Sequence, residues 1–166
     1  MSRFVQTSGL TSLMRKATAV AAAAGLVLAA GAAAATSPDA YRAQVNALCR
    51  SYTPSLRKAE AALSKAQKAN DGRALGVAIG QLLGLGLAED AKIEGTPVPA
   101  AMRAQMTPIL SLLKVVDGHA RLAIARAAAG DANGLSAELT KIGQVGATLN
   151  KRLDAAGLRD CGSNQS

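Results

Sequence analysis

GRALGVAIGQLLGLGLAED, residues 72–90, decides how this chain folds, because its readings lead to incompatible architectures. Glycine stands at 72, 76, 80 and 84, the four-residue spacing of helix-contact ridges in membranes. The apolar run covers residues 74–88, interrupted by Gln81 and bounded by Arg73 and Glu89. At about 1.5 Å per residue it reaches roughly 22 Å, short of the ~30 Å hydrocarbon core of a bilayer. It makes a poor membrane span. It is not an ordinary surface helix either, since Leu75, Val77, Ile79, Leu82, Leu83, Leu85 and Leu87 point nearly all round. Interior glycines at 76, 80, 84 and 86 each cost about 1 kcal/mol relative to alanine, and close approach of neighbouring helices is the expected compensation. The stretch therefore reads as a tightly packed helix of a bundle, with Gly76, Gly80 and Gly84 forming a close contact or the wall of a pocket.

Three further amphipathic segments surround it. Before it, Ser37-Pro38-Asp39 opens a helix with a serine cap and a proline in the first turn. Tyr41, Val45, Leu48, Tyr52, Leu56, Ala59 and Leu63 then form one stripe that crosses Pro54 in phase, which predicts a single long kinked helix. Both tyrosines are expected in the core. Gly95-Thr96-Pro97-Val98-Pro99 is a break after the glycine-rich helix, with Pro99 placed to begin the next. The third segment carries Met102, Met106, Ile109, Leu113, Val116, Ala120 and Ala127, with Pro108 as a second kink. After Gly130-Asp131, a fourth stripe runs through Leu135, Leu139, Ile142, Gly146, Leu149, Leu153 and Ala156, and Gly157 stops it in the left-handed conformation. No strand-like alternation competes. Short breaks favour antiparallel neighbours, so the expected fold is all-α, an up-down-up-down four-helix bundle.

Residues 1–35 read as an address. Arg3, Arg15 and Lys16 precede the apolar run ATAVAAAAGLVLAAGAAAA, and Ala33 and Ala35 match the small-residue pattern of signal peptidase, which places cleavage between Ala35 and Thr36. An uncleaved anchor and an organellar presequence are the alternatives. The expected mature domain, residues 36–166, contains no further membrane-spanning helix and is secreted or extracytoplasmic. It carries 16 basic and 11 acidic residues, a net charge of +5 against +8 for the whole chain. The bases are dispersed, so ordinary solubility charge is favoured over attraction to anionic envelope polymers or lipid head groups. Cys49 and Cys161, both exported, are most simply a disulfide. The bundle topology supports this, because it returns the chain after Gly157 to the start of the first helix. Two separate thiols are the alternative, and two cysteines with one histidine are too few soft ligands for a metal site.

The motifs YRAQVNALC (residues 41–49), Ala129-Gly130-Asp131 and Ala156-Gly157-Leu158 followed by Cys161 resemble the small, uncharacterised two-cysteine helical proteins, secreted or lipid-anchored, of high-GC Gram-positive bacteria. The chain departs from the lipid-anchored members in lacking a cysteine just after the apolar run. The resemblance implies no activity, cofactor or site residue.

Chemistry-bearing residues are sparse. His119, the only histidine, falls on the flank of its stripe and reads as a boundary residue, with a general base or metal ligand as the functional alternative. Glu89, Asp90 and Glu94 form the densest acidic group, expected to pair locally with Arg42 and the start of the third helix. None of the serines sits in a glycine elbow, and the glycine-rich segment lacks the lysine and hydroxyl ending of a phosphate loop. Phe4, Tyr41 and Tyr52 are the only aromatics, too few to stack on sugars or nucleic acid. The expectation is an exported non-enzyme without metal, cofactor or nucleic-acid partner that holds a small apolar ligand or associates with the envelope. A basic module for anionic polymers and, lastly, a metal-assisted hydrolase using His119 with Glu89–Glu94 are the alternatives.

Overall fold

The computed structural model describes residues 37–163. The expected signal segment, residues 1–35, and the junction at Ala35 and Thr36 lie outside them. Among the described residues the fold is all-α: α1 spans Pro38–Lys68, α2 Gly72–Glu94, α3 Arg103–Ala128 and α4 Ala132–Ala155. Short 3-10 turns at Ala100–Met102 and Arg159–Cys161 precede α3 and follow α4. The helices pack in chain order, α1 on α2, α2 on α3 and α3 on α4. The C-terminal turn seats against both α1 and α4 and so joins the ends of the series.

The caps explain where each helix starts. Ser37 Oγ accepts from Ala40 N at 3.2 Å, with Pro38 behind it. The α1–α2 and α3–α4 turns are built alike. Asn70 (φ 51°) and Gly130 (φ 70°) take the left-handed conformation. The next residues, Asp71 and Asp131, donate their N–H back to Ala66 O and Arg126 O. Each aspartate then caps the following helix, accepting from Ala74 N and Gly134 N at 2.9 Å. One residue thus closes a helix with its backbone and opens the next with its side chain. Both α1 and α3 run on as single helices through Pro54 and Pro108. At α4 the chain stops as expected: Gly157 has φ 79°, and Leu158 N donates to Leu153 O at 2.8 Å.

The main core sits at one end of the molecule. Tyr41, Val45 and Cys49 of α1 meet Ile93 of α2, Met106, Ile109 and Leu113 of α3, and Leu149 and Leu153 of α4, closed over by Leu158. At the hairpin end burial falls largely to small residues: Ala59, Ala66, Ala78, Ala120 and Ala123. Tyr52 departs from expectation. It is only partly buried, and its hydroxyl donates to Ala88 O at 3.3 Å.

The glycine ridge requires correction. A Cβ built at Gly76, Gly80, Gly84 or Gly86 would meet nothing within 4 Å, so no neighbouring helix approaches closely there. The cleft that the helices do form meets α2 at Gly86, Glu89, Asp90 and Ile93, and Gly76, Gly80 and Gly84 are not among its lining residues. The buried residues of α2 are Ala78, Ile79, Glu89 and Ile93, and Val77 is 57% exposed. By length and composition α2 is the one described helix that passes for a membrane span. Four-residue spacing fixes which side of the helix the glycines share, and that side is a flank: Gly72 and Gly84 are exposed, Gly76 and Gly80 half-buried.

Candidate functional site

A cleft of about 220 Å³ opens between the four helices beside the main core. Its walls are aliphatic, with Leu56 from α1, Ile93 from α2, Leu113 and Val116 from α3, and Leu149 and Leu153 from α4. Gly86 and Gly146 line it as well, and both have open space where a side chain would stand. The lack of side chains at these two positions is part of what keeps the cleft open. Polar character comes from Glu89, Asp90 and Asn150, and Cys161 closes one side.

The acidic group expected to pair locally is divided and partly internal. Glu89 is buried, with 5% exposure, and Asp90 is half-buried, while Glu94 is exposed. The expected pairing with Arg42 does not form. Arg42 instead holds Asp39 at 2.9 Å and donates to Ala156 O at 2.9 Å. What meets Asp90 is another acid, Asp117 of α3. Burial, the hydrogen bond and negative charge of Asp117, and the charges of Glu89 and Glu94 push the Asp90 carboxyl up to about 8. Two carboxylates facing each other are both acceptors, and Asp117 Oδ1 is buried without a partner. The proton that Asp90 keeps at neutral pH supplies the donor this pair needs. Arg121 approaches the other Asp117 oxygen at 3.7 Å from a largely exposed position.

Cys49 and Cys161 are joined as a disulfide with Cα atoms 5.2 Å apart. A Glu89 oxygen lies within 4.8 Å of both sulfurs. With the sulfurs bonded to each other, this group offers a carboxylate and no thiolate, and so lacks the donor set of a zinc site.

His119 lies apart from the cleft residues. Its Nδ1 is 2.6 Å from Glu138 Oε2 on α4, and Lys141 donates to Glu138 Oε1 at 2.9 Å. Bonds from Lys141 and His119 hold the Glu138 carboxyl below the ordinary glutamate range. The recorded partner of His119 is thus Glu138 on α4, not a member of the Glu89–Glu94 group. Asp117 and Glu138 were not singled out from the sequence. The available signal was an acid inside an apolar stripe: Asp117 follows Val115-Val116, and Glu138 precedes Leu139.

No protein-family model matches the chain, and neither a curated protein nor a solved structure matches it.

Proposed function

We propose that the protein is an exported, non-enzymatic helical bundle that holds a small apolar ligand in the cleft between its helices. The observation that carries this reading is the cleft itself, about 220 Å³ with aliphatic walls drawn from all four helices. An apolar cavity of about 150 Å³ takes benzene, whereas drug-sized ligands occupy roughly 300–1,000 Å³. The fitting ligand is a single ring or a short chain. Export rests on the leader-like residues 1–35 and on a disulfide, which persists in oxidising compartments. The test is to titrate the protein with one-ring ligands by NMR and to repeat it with Gly146→Leu, which fills the cleft. Shifts at Leu113 and Leu149 that vanish in the variant support the reading. Binding that survives in the filled variant refutes it.

A second reading has its own observation. Exposed Arg57, Lys58, Lys65, Lys68 and Arg73 gather on the α1–α2 hairpin, against Glu60 and Asp71. This favours contact with anionic envelope polymers or lipid head groups through that end. Such binding weakens as salt rises; binding to anionic vesicles that is indifferent to salt counts against it.

A further inference from the structure

The walls of the cleft fix the size and apolar character of its occupant, and the carboxyls fix a charge. We propose that the cleft selects a small apolar amine, its ring or chain against the aliphatic walls and its ammonium group held by Asp90 with Glu89. This inference rests on the apolar-ligand reading and specifies the head group.

Two observations point the same way. Glu89 and Asp90 both line the cleft, one largely buried, in a domain whose overall charge is positive. The charged groups that act on Asp90 most strongly are acidic. Glu89 and Glu94 flank it on α2 and Asp117 faces it from α3, with Arg121 3.7 Å from Asp117 Oδ2. From α1 the nearby polar group is the Tyr52 hydroxyl, donating to Ala88 O, and α4 contributes the neutral amide of Asn150. Asp117 is not among the lining residues; it stands behind Asp90 and adds its negative charge there. An ammonium brings three N–H donors and one positive charge to acceptors crowded by negative charge. A bare metal ion suits the place less well, since calcium needs six to eight oxygens and the rest of the wall is aliphatic.

The chemistry predicts a proton count. In the empty protein Asp90 keeps its proton at neutral pH. An ammonium beside it favours the carboxylate, so binding drives that proton off Asp90 and into the buffer. The amine stays protonated, and one positive charge replaces another. Affinity therefore rises with pH from about 6 to 8, provided the ligand amine has a pKa above 9.

The experiment uses the oxidised protein with benzylammonium, benzyl alcohol and toluene, by isothermal titration at neutral pH in buffers of different ionisation enthalpy. The expected result is that benzylammonium binds about tenfold or more tighter than either neutral ligand, with nearly one proton released. Asp90→Asn, close in shape and always uncharged, is expected to abolish both the preference and the proton release. Glu89→Gln is expected to weaken the preference in protein whose helicity is unchanged. Equal binding of all three ligands overturns the amine assignment and leaves the apolar cleft standing. No binding by any of them overturns both. Displacement of benzylammonium by millimolar calcium or magnesium also overturns it, by showing an inorganic cation site.

Discussion

Asn46 Nδ2 donates to Gly157 O at 2.9 Å, joining α1 to the turn that ends α4 across 111 residues of chain. The same side chain accepts from Asp160 N at 3.1 Å through Oδ1. One turn away on either side, Arg42 bonds Ala156 O and Arg50 pairs with Asp160. A single face of α1 thus holds the C-terminal turn by backbone and side chain, and the disulfide lies in the same contact. Gly157 has no alternative here: beyond its positive φ, a Cβ would stand 2.9 Å from Arg42 Cδ.

Asn46→Ala leaves two part-buried backbone groups, Gly157 O and Asp160 N, without their partner. The expected cost is about 1–3 kcal/mol, read as a lower urea midpoint. A midpoint unchanged within error means that water replaces the amide.

Removing the disulfide with Cys49→Ser and Cys161→Ser is expected to cost about 2–5 kcal/mol, since the bridge closes a loop over a separation of 112 residues. Comparing the thermal transitions of the oxidised and double-mutant proteins measures it. Equal transitions would show that the polar clamp alone holds the chain end.

Gly80→Ala is expected to raise stability by up to about 1 kcal/mol, because the helix gains and no neighbour objects. A packed ridge predicts the opposite sign. Chemical denaturation of this one variant separates the two.

The Asp90 carboxyl gives stability a pH dependence of known sign. Its pKa is 3.8 unfolded and about 8 folded, so within that window the folded protein holds a proton that the unfolded chain has lost. Stability therefore falls as pH rises, by up to about 1.4 kcal/mol per unit. Glu138 acts elsewhere: its pKa is lowered by Lys141 and His119, and its contribution is lost only as pH drops below the usual glutamate range. Urea unfolding from about pH 5 to 8 is expected to show the slope in the parent and a flatter profile in Asp90→Asn. Parallel profiles would remove Asp90 as the cause.

Tyr41 is fully buried, burial raises its pKa, and its hydroxyl has no hydrogen-bond partner. Tyr41→Phe removes an unpaired polar group at little change in shape, and a gain of about 1 kcal/mol is expected. A loss of that size in the unfolding free energy would reveal a donor or acceptor at the hydroxyl.

The local signals in the sequence carried most of the fold. Ser37, Asp71, Asp131 and Gly157 act within a few residues of themselves, and each marks its helix boundary as expected. The disulfide was legible at one remove, from the number and alternation of helices. What could not be read was rotation about the helix axes. The leucines of α2 point all round, so nothing in its pattern said whether the glycines turned inward or outward. Asp90 and Asp117 meet for the same reason unannounced, since their contact depends on how α2 and α3 are turned toward each other.

Where Cys49 and Cys161 join also decides how the molecule carries load. A pull applied at Ser37 and Ser163 runs along the first turns of α1, crosses the disulfide and leaves through the C-terminal turn. The rest of α1 and all of α2, α3 and α4 hang as a closed covalent ring outside that path. Extending such a chain draws out only its short ends, so under tension the domain behaves as an inextensible link.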